Sequence, residues 1–182
     1  MTTPGTWRTT GTAHLFGDDL PHDNGMMAWK HIIERQTEPT VLLPCLFEGI
    51  DPSFASRVRP GDFIVAGQRF GTGKAHTTAY LALAALDVRI LCESSFEKVQ
   101  RGAANLGVPI LAQCSGVASA IRDGEQITVD MLSGEVLTAS GRRLQYPPLR
   151  PILRQAIEQG GRPGILRSWL GAHPEMALAD HD

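Results

Sequence analysis

The residues best suited to chemistry lie in one short run. Gly71-Thr72-Gly73 leads into Lys74 and His76, with Thr77 and Thr78 directly after. At a strand-to-helix junction such a run makes an anion site. Glycines let backbone amides approach a ligand closely, the first helical amides lack internal partners, and the helix dipole adds positive charge there. A carboxylate or a phosphate would suit it. The spacing is not that of the Walker phosphate loop, and no ribose-binding acid follows as in a dinucleotide fold. A tight strand-to-helix turn without a ligand accounts for the bare pattern as well.

A second group, Asp18, Asp19, His22 and Asp23, has metal-ligand side chains. Acidic residues are equally common in turns, where they bond to their own backbone, and the turn is the preferred reading. Lys30 and Arg69 are candidates for a further carboxylate contact. Cys45, Cys92 and Cys114 are odd in number, widely spaced and free of any CxxC pair, which fits reduced thiols in the core and no metal on this chain.

The elements that must position these residues can be read from hydrophobic pattern and turn chemistry. Gly11 to Phe16 reads as a strand stopped by Gly17-Asp18-Asp19, and Met26 to Arg35 as a short helix or lid. Met26, Met27 and Trp29 are expected to pack, or to mark a partner surface if exposed. Asp51-Pro52 starts a short capped helix. Phe63 to Ala66 is a buried strand, His76 to Leu86 a helix and Ile90 to Cys92 a second strand, so the glycine loop falls at a strand's carboxyl end in a βαβ crossover. Phe96 to Leu106 reads as a helix ended by Gly107, and Val108 to Ala112 as a strand. Gln126 to Met131 and Glu135 to Thr138 make a hairpin. Helices follow at Leu149 to Gln159 and near Ile165 to Leu170, and the tail after residue 171 is expected to fray.

With 182 residues, 42% hydrophobic and 20% charged, the chain suits one globular domain spanning 1–182. A formal net charge of -2 supplies no general attraction for nucleic acid or an anionic membrane. No apolar run spans a bilayer and no leader pattern opens the chain, so a cytoplasmic protein is expected. Arg142, Arg143, Arg150, Arg154, Arg162 and Arg167 make the last third locally basic, read as a solvated helix face.

Taken in order, the segments resemble the small subunit of 3-isopropylmalate dehydratase and the swivelling fourth domain of aconitase. Gly17 to Asp23 resembles the family's GDNIDTD, Asp51-Pro52-Ser53-Phe54-Ala55 its DPxFA, and Val58 to Gly67 its VKPGDIIVAG. Glu93 to Phe96 resembles ESF, Asn105 to Pro109 NNGLP, Gly124 to Val136 the GDxxxVDxxxGEI hairpin, and Glu158 to Gly161 EAGG. The resemblance covers nearly the whole chain. It implies an α/β fold, a three-layer β/β/α swivelling domain, in a hydro-lyase that works only with a large subunit. No cofactor is expected on this chain, and a 4Fe-4S cluster is expected on that partner. The substrate implied is a small hydroxy-carboxylate.

The catalytic loop departs from this pattern. Where the family has GxGSSREHA, its serines are replaced by Lys74 and Ala75, its arginine by His76, and its glutamate and histidine by Thr77 and Thr78. The family's serine base is absent. Either Lys74 takes its place, as proton acceptor or as an ammonium that holds a carboxylate, with His76 in the arginine's place and Asp23 orienting, or the loop has lost its chemistry and the chain is a noncatalytic scaffold closing a partner's site. Retention of Gly71 and Gly73 with polar replacements favours the first reading. On it, Lys74, His76 and Asp23 are catalytic, and Gly71, Thr72, Gly73, Thr77, Lys30 and Arg69 contact substrate.

Overall fold

The computed structural model describes residues 6–74 and 76–176. Seven strands form one sheet: β1 (Arg8–Phe16), β2 (Phe63–Ala66), β3 (Arg89–Cys92), β4 (Ile110–Leu111), β5 (Gln126–Asp130), β6 (Glu135–Thr138) and β7 (Arg143–Gln145), in the order β4-β3-β2-β1-β5-β6-β7. The long strand β1 serves two halves. Its residues 8–12 pair antiparallel with β5, and its residues 13–16 pair parallel with β2. From there β2, β3 and β4 continue the parallel half, while β5, β6 and β7 continue the antiparallel half.

Burial shows why the halves stack as layers. β2 and β3 are buried at every position, as strands covered on both faces must be. Ile64, Ala66, Ile90, Cys92 and Ile110 face one core, shared with α2 (Pro39–Leu42), α3 (Phe54–Arg57), α4 (Thr78–Ala85) and α5 (Glu97–Ala104). Their alternates Phe63, Val65, Leu91 and Leu111 face a second core with Ile127, Val129 and Val136 of the antiparallel half. The architecture is therefore β/β/α in three layers, with the parallel half between the antiparallel half and the helices. Each large side chain so buried contributes about 1.5–3 kcal/mol. β5 alternates buried and less buried residues, as a half-covered strand does.

The remaining helices are α1 (Trp29–Ile33), α6 (Val117–Ala120), α7 (Pro151–Glu158) and α8 (Gly161–Ala172). Three boundaries differ usefully from expectation. α4 begins at Thr78 rather than His76, so Lys74 and His76 lie in the loop before the helix. Asp51 bonds the Ser53 amide at 3.0 Å as a turn, and α3 starts only at Phe54. α8 begins at Gly161 rather than near Ile165 and runs to Ala172, with a 3-10 turn over Pro174–Met176; the last part of the tail expected to fray, 177–182, lies outside the described residues. The strand β7, with Gly134 turning beneath it, and the short helices α2 and α6 had no clear pattern in the sequence. Among the described residues no helix is long and apolar enough to cross a membrane.

Candidate active site

The carboxyl ends of β1, β2 and β3 release three loops onto one edge. Gly17 to Ala28 leaves β1, Gly67 to Thr77 leaves β2, and Glu93 to Phe96 leaves β3. Ligands of open parallel sheets sit at this edge.

Backbone contacts fasten the first two loops together. The Asp19 amide bonds Gln68 at 2.8 Å, the Gly67 amide bonds Gly17 at 3.2 Å, and Asp18 accepts from the Gln68 amide at 2.8 Å. A Cβ on Gly67 would stand 2.0 Å from the Asp18 carboxylate, so only glycine allows this approach. Asp18 therefore serves as a loop clasp. The Gly71 and Thr72 amides both bond the Leu20 carbonyl, at 2.8 and 3.2 Å, and the Thr72 hydroxyl bonds the Asp19 carbonyl at 3.2 Å.

These contacts correct part of the anion-site expectation. The amides of Gly71 and Thr72 already have intramolecular acceptors, so neither offers its N–H to a ligand. The His76 amide bonds the Lys74 carbonyl at 2.9 Å. Of the loop's glycine-run amides, those of Gly73 and Lys74 have no intramolecular acceptor among the described residues. Thr77 is the exposed residue preceding α4, and its side chain makes no capping bond.

The ionisable residues divide into two groups. Asp23 and His76 come together, with His76 Nε2 3.5 Å from Asp23 Oδ1. Both of these atoms are buried and neither has a hydrogen bond. The Trp29 ring stands edge-on to His76 with 5.4 Å between centroids, which walls the pair on one side. Asn24 places Trp29 there by accepting its amide at 3.0 Å. Lys74, two residues before His76 and bonded to its amide through the backbone, is exposed and makes no ion pair among the described residues. Arg69 and Lys30, by contrast, are engaged elsewhere. Arg69 forks onto Asp19 with two contacts of 2.5 Å, and Lys30 pairs with Glu48 at 3.5 Å. The Arg69 bond holds the Asp19 carboxyl below its usual range and raises the guanidinium in return. As a substrate contact, either residue would first have to release its partner.

Two neighbours, Lys98 and Tyr80, were not singled out from the sequence, and His22 was read there only with the turn or metal-ligand group. Lys98 of α5 reaches the Gly73 carbonyl at 3.4 Å. His22 is buried, with Nε2 2.9 Å from the Tyr80 hydroxyl, and Tyr80 is itself buried in α4. Met26 and Met27 are buried, so the expected packing holds for them, while Trp29 keeps 39% of its surface exposed. No pattern of residue types marks a buried histidine inside a turn-rich loop; only burial reveals it. The group formed by Asp18, Asp19, His22 and Asp23 is divided among the clasp, the Arg69 pair, Tyr80 and His76, and no cluster of three metal-ligating side chains occurs among the described residues.

Comparison with known proteins agrees with this arrangement of elements. No family model matches the chain. The small subunit 1 of 3-isopropylmalate dehydratase from Methanopyrus kandleri is 35% identical over 153 residues, covering 83% of this chain and 88% of the relative. The chain belongs to the 3-isopropylmalate dehydratase small-subunit family. A small subunit from Methanosarcina acetivorans is 34% identical over the same share of this chain and 91% of its own. The isopropylmalate/citramalate isomerase small subunit of Methanocaldococcus jannaschii is 28% identical, over 89% of its length. A crystal structure of 3-isopropylmalate dehydratase from that organism superposes with a TM-score of 0.81 over 93% of this chain and 99% of the other, at 24% identity, which establishes the shared fold. The α/β swivelling domain expected from the motifs is thus the fold observed.

Proposed function

We propose that the chain is the small subunit of a two-chain hydro-lyase, closing the site of a larger subunit over a small hydroxy-carboxylate. The observation that carries this reading is the grouping, at the ligand-binding edge of a chain of this family, of exposed Lys74 with the incompletely bonded Asp23–His76 pair. Relatives named for isopropylmalate and citramalate point to 2- or 3-hydroxy dicarboxylates as the substrate class.

The roles follow from geometry. Asp23 faces His76 Nε2, so that nitrogen carries the proton and Nδ1 is left as the basic atom. His76 then takes a proton from the carbon next to a carboxylate while the neighbouring carbon–oxygen bond breaks, and the imidazolium hands that proton to the departing hydroxide, which leaves as water. The reverse step returns the proton from His76. Asp23 orients the ring and stabilises the imidazolium as it forms. Lys74, exposed and unpaired two residues before His76, holds a substrate carboxylate as an ammonium, with the amides of Gly73 and Lys74 next to it. Gly71 and Thr72 hold the loop in shape, Thr77 lies at the margin, and Lys30 and Arg69 stay with Glu48 and Asp19.

The cysteines present do not fit a cluster. Burial pushes the thiols of Cys92 and Cys114 up, the latter to about 12, and Cys45 lies apart, half-buried at the end of a 3-10 turn. On this reading the 4Fe-4S cluster belongs to the large subunit, where it supplies Lewis-acid chemistry at the departing hydroxyl.

The test is co-expression with the large subunit encoded nearest to this chain, with an anaerobic assay of water elimination across hydroxy-carboxylates. Activity requiring both chains is expected. Lys74→Ala should raise KM about a hundredfold, the value of a charged hydrogen bond to a carboxylate, with Lys74→Arg recovering much of it. Equal loss of kcat in both Lys74 variants would make Lys74 the base instead. A stable complex inert on every substrate would favour the scaffold, and no complex would end the two-chain reading.

A further inference from the structure

His22 lies where the two loops of the site and the first turn of α4 meet. Its backbone amide bonds the Thr72 carbonyl at 3.2 Å, and its own carbonyl accepts from Met27 at 3.1 Å. Its ring is almost wholly enclosed, with Nε2 2.9 Å from the Tyr80 hydroxyl and Nδ1 3.4 Å from the Thr72 carbonyl. Gly71 adopts φ +80°, and a Cβ there would stand 2.8 Å from His22 Cε1 and 2.7 Å from Val99, so the glycine packs closely against both the ring and α5 with no room for a side chain.

These partners select one tautomer. A carbonyl only accepts, so Nδ1 carries the proton toward Thr72; a neutral ring then offers Nε2 as acceptor, and the Tyr80 hydroxyl donates to it. Burial favours that neutral form, pulling the imidazole below its usual range against the upward pull of the Thr72 carbonyl and the Asp23 charge, and burial likewise keeps the Tyr80 hydroxyl protonated.

Two adjacent residues of the first loop thus meet two residues four positions apart on the other side, Tyr80 in the first turn of α4 and His76 in the loop before it. His22 meets Tyr80, and Asp23 meets His76. The first contact is buried and close, the second is longer and short of hydrogen bonds. We propose that His22 is a positioning residue, locked between Tyr80 and the Thr72 carbonyl, that sets the spacing of the Asp23–His76 pair and holds the glycine loop beside it. This rests on the hydro-lyase reading for its catalytic consequence and on geometry alone for its structural one.

Both consequences can be measured with Tyr80→Phe, His22→Ala and His22→Asn. In the chain by itself, amide hydrogen exchange at Gly71, Thr72 and Met27 should quicken about tenfold in Tyr80→Phe and His22→Ala, the value of one buried hydrogen bond, while amides of Ile64 and Ile90 stay protected. His22→Asn, whose amide reaches the Thr72 carbonyl, should recover most of that protection. With the large subunit, the first two variants should lose about tenfold in kcat with KM nearly unchanged. Unchanged exchange at the loop amides, or exchange rising equally in the core strands, would overturn the proposal, as would a loss confined to KM. If the wild-type pair of chains proves inactive, the hydro-lyase reading fails, and the exchange experiment still decides whether His22 positions the loops.

Discussion

The two ends of the parallel half-sheet each carry an aspartate–histidine pair, and the pairs are built to opposite specifications. At the amino end, His14 Nε2 lies 2.9 Å from Asp62, with both side chains at least 94% buried. Asp62 also accepts the amides of Thr12 and Arg59, each at 2.8 Å, and His14 stands edge-on to Phe54. At the carboxyl end, Asp23 and His76 are 3.5 Å apart, each more than a quarter exposed, and the facing atoms have no hydrogen bond. In the first pair the facing atoms bond each other and Asp62 is fully engaged, although His14 Nδ1 is buried without a partner, and the pair ties β1 to the turn before β2. The second leaves capacity unfilled at the edge where ligands bind. Identical residue types therefore do structural work where their facing atoms bond each other inside the fold and are available for chemistry where those atoms stand unbonded at the other edge.

Removing Asp62 should separate the two ends most sharply. Asp62→Ala strands one histidine nitrogen and two amides, and should cost about 3–5 kcal/mol of stability in chemical denaturation. Asp23→Asn should do the reverse. Unfolding should change by less than about 1 kcal/mol, while kcat with the large subunit falls about a hundredfold because the His76 imidazolium loses its countercharge. Equal stability losses in the two variants would erase the distinction.

Acid should also tell the ends apart. Burial raises the Asp62 carboxyl, but the bonds from His14, Thr12 and Arg59 and the His14 charge outweigh it and hold the group below its usual range. A carboxyl depressed in the folded state gives stability that is present above the unfolded value, about pH 4, and is lost as pH falls through the folded one. His22, depressed by burial among Asp23, His76 and Tyr80, follows the same sign from a higher starting point, with its contribution lost as pH falls below about 6.5. Denaturation midpoints measured against pH should therefore decline in two stages, the upper absent in His22→Asn and the lower absent in Asp62→Asn. The smallest effect is expected at Arg69, whose pairing with Asp19 is in open solvent. Arg69→Ala should leave the unfolding midpoint within experimental scatter, and a clear loss would mean that the pair helps to hold the loop clasp.

Much of this fold was legible before the structure. The all-apolar run Phe63 to Ala66 can satisfy its backbone only as a strand covered on both faces, and the alternation in Gln126 to Asp130 fixes which side of that strand is buried. The βαβ crossover placed the glycine loop at the correct edge, and collinear motifs from Gly17 to Gly161 named the family. The expected anion site was less exact. Glycine content says that amides can turn outward, and it does not say which of them another loop will take. Leu20 takes those of Gly71 and Thr72. Likewise Lys30 and Arg69 carry the right charge for a substrate carboxylate, but Glu48 and Asp19 stand opposite them.

The sequence by itself determined the order of the elements and the position of Lys74, His76 and Asp23 in loops that leave neighbouring strands, because these follow from local periodicity and order, while the family and its three layers came from the resemblance of its collinear motifs. Only the tertiary structure decided that Asp23 meets His76, that His22 is buried against Tyr80, and that the same two residue types bond each other at one end of the sheet and face each other unbonded at the other. Those facts depend on contacts between segments about fifty residues apart, and hydrogen-bond saturation is a property of the surroundings that converge on a side chain.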